Sequence, residues 1–89
     1  MINMRLDKYL KLTRLIKRRT VAKDFSAAGK VIIDKRTVKP SYLVKVGDML
    51  ELYLADFIVI VEVLSVDEKV LRVNAEDGYK LLGKTLNAN

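Results

Sequence analysis

RLDKYLKLTRLIKRRTVAKDFSAAG, residues 5–29, is the stretch whose periodicity decides the fold. Over residues 5–16, Leu6, Tyr9, Leu10, Thr13 and Ile16 recur at helical spacing on one face, with Lys8, Lys11 and Arg14 opposite. Asp7 falls in the first turn, where a carboxylate suits the helix dipole, and Asn3 is a candidate cap. Leu12 and Leu15 fall on the polar side of this wheel, so the helix is expected to end or turn near residue 14. The basic run Arg14, Lys17, Arg18, Arg19 then contains a helix–helix junction. A second helix begins around Arg18 to Thr20, with Val21, Ala22, Phe25 and Ala28 as its apolar stripe and Gly29 as its left-handed stop. Consecutive cations at a helix N-terminus oppose its dipole, so another demand placed them there, and a bound phosphate satisfies both.

After Gly29 the period changes to two. Residues 31–34 read as a strand and residues 37–40 as its partner, with Pro40 ending it. A turn at Val46, Gly47 and Asp48 leads to a strand over 49–54, and a longer one spans 57–66. After a turn at Asp67, Glu68 and Lys69, residues 70–74 read as a strand and 75–83 as a short frayed helix weakened by Gly78. The fold class expected is α+β: a helix–turn–helix pair packed on a small, twisted, mainly antiparallel sheet, with a short C-terminal helix. Tyr9, Phe25, Tyr42, Tyr53, Phe57 and Tyr79 read mostly as core, since no aromatic base-stacking signature is present.

Composition narrows the function. A chain of 89 residues is long enough for one core, and 51% apolar residues argue against disorder. No apolar run reaches the ~18 residues of a membrane span, and no signal-like start is present, which reads as a cytoplasmic protein. With no His and no Cys, the usual zinc sets and Ser–His or Cys–His pairs cannot be built, so neither a metal, a cofactor nor an enzyme is expected. The net charge of +6 is segregated: residues 1–40 hold twelve Lys and Arg against three Asp, and residues 41–89 hold five against eight acids. That split is the footprint of a polyanion binder. A membrane-surface reading is weaker, because the apolar stripe of the first helix is needed for a core.

RLDKYL at 5–10, RLIKRRTVA at 14–22, GKVIID at 29–34, VKPSYLV at 38–44 and VGDMLEL at 46–52 occur in one order. That order resembles the S-four RNA-binding domain, over roughly residues 5–65, with 66–89 expected to complete the same compact unit. The opening over residues 5–23 and the tail ending in AEDGYKLL are most similar to the small stand-alone branch that serves bacterial ribosome-associated quality control. The resemblance implies a basic groove for structured RNA, and partners: large-subunit ribosomal RNA, peptidyl-tRNA and a quality-control factor of the RqcH/NEMF type. It further implies a monomer off the ribosome that supports alanine tailing of stalled nascent chains, with the chemistry left to the ribosome. Two rivals are a heat-shock-type ribosome rescue protein and the RNA-binding subunit of an RNA-modifying enzyme.

The candidate RNA contacts are Arg5, Lys8, Lys11, Arg14, Lys17, Arg18, Arg19 and Lys39. Arg5, Arg14, Arg18, Arg19 and Lys39 match basic positions of the family pattern, while Lys8, Lys11 and Lys17 share the same basic stretch. Lys23 and Lys30 stay open between contact and ordinary surface, and Lys35 and Arg36 read as solubilising. Asp7 reads as a capping or ion-pairing residue that orients an arginine. Two departures from the family stand out. Asp34-Lys35-Arg36-Thr37 replaces the frequent Asn-Gly, so a turn of different type or length is expected there. Met1, Ile2 and Asn3 precede the usual family start, which makes Met4 an alternative start.

Overall fold

The computed structural model describes residues 3–88; Met1, and with it the choice between Met1 and Met4 as the start, lies outside them. The order is β1 (Met4–Arg5), α1 (Leu6–Leu12), α2 (Arg19–Ala27), β2 (Val31–Ile33), β3 (Arg36–Thr37), β4 (Leu43–Val44), β5 (Met49–Tyr53), β6 (Phe57–Val63), α3 (Glu68–Val73) and β7 (Tyr79–Leu86), with a 3₁₀ turn over Ala75–Gly78 before β7. Five strands form an antiparallel sheet in the order β3-β2-β5-β6-β7, and β1 pairs separately with β4. This is the expected α+β class.

The helix pair follows its apolar periodicity. Leu6, Tyr9, Leu10, Thr13 and Ile16 are all buried, although α1 itself stops at Leu12. Beyond it the Arg14 amide donates to the Lys11 carbonyl, and the chain then turns through Arg14 in a left-handed conformation (φ 60°), which lets the Ile16 amide reach the carbonyl of Leu10. That turn carries Leu15 against the core, and Leu12, still within α1, is buried instead of facing solvent. Asn3 does not cap α1. Arg5 is its N-cap residue, and the first amides are taken by the loop before β4: Leu6 N–H donates to Tyr42 O (2.8 Å) and Asp7 N–H to Pro40 O (3.1 Å). In α2 the buried positions are Ala22 and Ser26, with Phe25 packed beside them, while Val21 and Ala28 are exposed. Ser26 is tolerated inside because its hydroxyl donates to Ala22 O (2.8 Å). Gly29 (φ 78°) ends the helix as expected.

The sheet buries alternate residues: Val31 and Ile33 on β2, Leu50 and Leu52 on β5, and Val59, Val61 and Val63 on β6. The β2–β3 connection departs from expectation. Ile33 lies opposite Arg36, so only Asp34 and Lys35 form the turn, at φ 52° and 65°. Both central residues are left-handed, as in the hairpin turn that matches strand twist. The chain keeps the Asn-Gly geometry without its residues; Asp tolerates it and Lys bears the strain. β3 is accordingly displaced to Arg36–Thr37.

The C-terminal third exchanges its expected strand and helix. Asp67 accepts from the Lys69 amide (2.9 Å) and caps α3, and Glu68 reaches Arg72 one turn on (2.9 Å), so residues 68–73 are helical where a turn and strand were expected. Residues 79–86 form β7 against β6, with an irregularity between Ile60 and Val61. Gly78, the supposed weak point of a helix, is a close-packing point. A Cβ there would lie 2.5 Å from Leu71 Cδ2 and 2.8 Å from Thr13 Cγ2. Its carbonyl accepts the buried Tyr9 hydroxyl at 2.6 Å, tying α1 to the far end of the chain. Tyr9 is fully buried, and Phe25, Tyr42, Phe57 and Tyr79 pack against the core.

Gly78→Ala therefore overpacks the α1–α3 junction. Such overpacking costs about 1–3 kcal/mol, so the melting temperature should fall by roughly 4–8 °C per kcal/mol. A melting temperature equal to that of the parent chain would show that Leu71 and Thr13 yield freely.

Candidate nucleic-acid interface

Part of the basic cluster is arranged around one buried carboxylate. Asp7 is 2% exposed at the start of α1. Its oxygens accept from Arg5 Nε (3.2 Å) and a terminal guanidinium nitrogen of Arg5 (3.1 Å), and from the Lys8 amide (2.8 Å). Arg19, the first residue of α2, brings a guanidinium nitrogen to 3.7 Å from Asp7 Oδ1. One acid thus gathers arginines from β1 and α2, both still about half exposed. Burial pushes the Asp7 pKa up, but the Arg5 hydrogen bond, the Lys8 amide and the charges of Arg5 and Arg19 outweigh it and hold it below the ordinary value. The same hydrogen bond and charge raise the pKa of Arg5, which stays a cation at any working pH.

Lys8, one residue on, is ion-paired with Glu68 of α3, which also accepts from Arg72. The Lys8 and Arg72 hydrogen bonds hold the Glu68 carboxyl below its ordinary pKa. Lys11, Arg14 and Lys17 stand around an open cleft completed by Leu12, Leu71 and Arg72. Arg18 is the exposed N-cap residue of α2, and its own side chain makes no capping hydrogen bond. Lys39 is exposed in the loop whose next carbonyl, that of Pro40, caps α1 beside Asp7. Lys23, Lys30, Lys35 and Arg36 are exposed. Among the described residues no cluster of His, Cys, Asp or Glu is suited to hold a metal, and no helix is long and apolar enough to cross a membrane.

Two participants escaped the sequence reading. Glu68 and Arg72 lie in the acidic half, where the charge split drew attention away from them. The signal was available in the spacing, since a cap at Asp67 with acid and base four residues apart marks a helix. Arg14 carries a further sign. A left-handed arginine costs about 1–2 kcal/mol where glycine would cost nothing, so the position keeps its side chain against a local penalty.

Comparison with known proteins places this geometry in context. The S4 domain family pattern matches residues 4–50. A protein of Listeria innocua named RQC P-site tRNA stabilizing factor is 42% identical over 79 residues, spanning 89% of this chain and 86% of the relative. One of the same name from Bacillus subtilis is 39% identical, spanning 89% and 92%. The solved trimeric structure of Vibrio cholerae heat shock protein 15 superposes with a TM-score of 0.79 at 25% identity, covering 91% of this chain and 83% of that one.

The Asp7 centre predicts an acid-sensitive fold. A carboxylate whose folded pKa is depressed contributes stability above its unfolded value of about 3.9, and that stability is lost as pH falls through the folded pKa. Melting curves between pH 7 and pH 2 should show the parent chain losing stability below about pH 4, and Asp7→Asn starting lower at pH 7 and losing less. Parallel profiles would mean that Asp7 adds nothing to the folded state.

Proposed function

The chain belongs to the S4 domain family, among the RQC P-site tRNA stabilizing factors, and from that premise we propose how its basic face is used. It is an RNA-binding factor of ribosome-associated quality control. It binds the large ribosomal subunit that still carries peptidyl-tRNA, holds that tRNA in the P site, and so supports alanine addition by a partner of the RqcH/NEMF type. It works in the cytoplasm, as a monomer off the ribosome, and has no turnover of its own. Residues 5–65 are the RNA-binding unit, and 66–89 complete the same body.

The observation that carries the reading is the convergence of Arg5 and Arg19 on buried Asp7 beside the N-terminus of α2. A phosphate there meets two oriented guanidiniums together with helix-start amides that no side chain caps. Arg18 and Lys39 flank this point, and Lys8, Lys11, Arg14 and Lys17 extend it along α1 and the junction. The likeness to heat shock protein 15 supports the fold, and this chain's identity of about 40% to the tRNA-stabilizing relatives favours the quality-control branch.

Tagged protein sedimented from cells through a sucrose gradient should travel with free large subunits; a small-subunit or unbound profile would contradict the reading. Binding to structured RNA should weaken steeply with salt, because phosphate contacts release counterions, whereas a log–log slope near zero would remove them. Arg19 also holds Asp7, so Arg18 is the cleaner probe. Arg18→Ala should weaken binding roughly ten- to hundredfold, the equivalent of about 1.5–3 kcal/mol, without lowering the melting temperature. An early-melting variant that binds normally would make Arg18 structural.

A further inference from the structure

The cleft between the α1–α2 junction and α3 is built differently from the Asp7 centre. Lys11, Arg14, Lys17 and Arg72 stand around it, and the edges of Leu12 and Leu71 make its floor, over a volume of ≈ 470 Å³. That size falls within the ~300–1,000 Å³ typical of small-molecule sites. At the Asp7 centre the cations have acidic partners: Arg5 and Arg19 share Asp7, and Lys8 shares Glu68 with Arg72. Among the described residues no carboxylate pairs with Lys11, Arg14 or Lys17, so an incoming anion meets these three uncompensated.

Charge alone would describe a phosphate site, but a phosphate gains nothing from leucine edges. A ribose and base do. Two guanidiniums, from Arg14 and Arg72, offer planes that stack on a base and forks that grip a phosphate. Beyond them the surface continues into a second hollow of ≈ 280 Å³ lined by Val73, an apolar side chain 89% exposed, and by the acid Glu76, which marks the limit of the basic surface on that side.

We propose that this cleft receives a single unstacked nucleotide of the bound RNA, its phosphate among Lys11, Arg14, Lys17 and Arg72 and its base and ribose over Leu12 and Leu71. The inference rests on the RNA-binding reading and extends it to α3. Glu68, held by Lys8, fixes Arg72 in place, so the acidic half of the chain supplies one wall of the site. The site favours loops and bulges, whose bases are free to leave the stack, over continuous duplex.

The test compares an RNA hairpin carrying 2-aminopurine in its unpaired loop with a fully paired RNA of the same stem, at one salt concentration. The parent chain should prefer the hairpin and change the 2-aminopurine fluorescence on binding. Arg72→Ala and Arg14→Gly should each lower hairpin affinity about tenfold, lower duplex affinity less, and lose the fluorescence change. Glycine relieves the left-handed backbone at position 14, so that variant should melt no earlier than the parent and its lost binding cannot be ascribed to unfolding. Lys69→Ala, which removes the same charge from α3 outside the cleft, should keep the preference and the signal. Equal losses on hairpin and duplex, or an unchanged fluorescence response in both arginine variants, would overturn the nucleotide site while leaving RNA binding intact. A parent chain that binds neither RNA would overturn both readings.

Discussion

A carboxylate placed almost wholly out of water is the constraint on which the rest depends. An isolated charge so buried is expensive, and Asp7 is tolerated because its two oxygens accept from both Arg5 nitrogens and the Lys8 amide, with Arg19 close by. Those partners belong to three elements. Satisfying one acid therefore fixes the end of β1, the start of α1 and the start of α2 relative to one another. The arginines proposed to meet RNA are the same ones that pair with the acid, so in that reading stability and binding geometry share a single arrangement.

Such an arrangement suits a helix pair that has little stability of its own. α1 has 7 residues and α2 has 9, below the length at which isolated helices persist in water. Tertiary anchors hold them. The Tyr9 hydroxyl on Gly78 O joins α1 to the end of the chain, β1 pairs with β4, and carbonyls of residues 40 and 42 cap α1. The basic cluster lies on the helix pair and β1, not on the five-stranded sheet. A preformed surface spares the ordering of long cationic side chains when RNA binds, which otherwise opposes affinity.

Legibility in the sequence followed the physics of each element. The faces of α1 were readable because Leu6, Tyr9 and Leu10 lie within a few residues of one another and burial imposes the period. The Gly29 stop and the long β6 were readable for similar local reasons. β1 and β4 were not, since two residues show no period at all. The tail misled because Val70 and Val73 have strand-like propensity, and only the Asp67 cap and the Glu68–Arg72 pair reveal a helix. The Asp34–Lys35 turn misled in the opposite way: propensity disfavours it, but strand twist imposes it. Within the site, the basic residues and the role of Asp7 were visible in order and charge. The spacing of Glu68 and Arg72 marks a helix, but their place beside the basic residues shows only when folding brings residue 68 against residue 8.

That last contact bears on how a basic surface can be selective. Cations alone attract any polyanion, and the attraction is spread over the whole face. Acids set among them change this. Asp7 and Glu68 withdraw charge from Arg5, Arg19, Lys8 and Arg72 while fixing their directions, and Lys11, Arg14 and Lys17 stay uncompensated between them. The face becomes a pattern of oriented and open positive groups instead of a uniform field. In the proposed reading, an RNA whose phosphates and unpaired bases match that spacing gains contacts that a plain duplex does not, and left-handed Arg14 places one open group where the two helices meet.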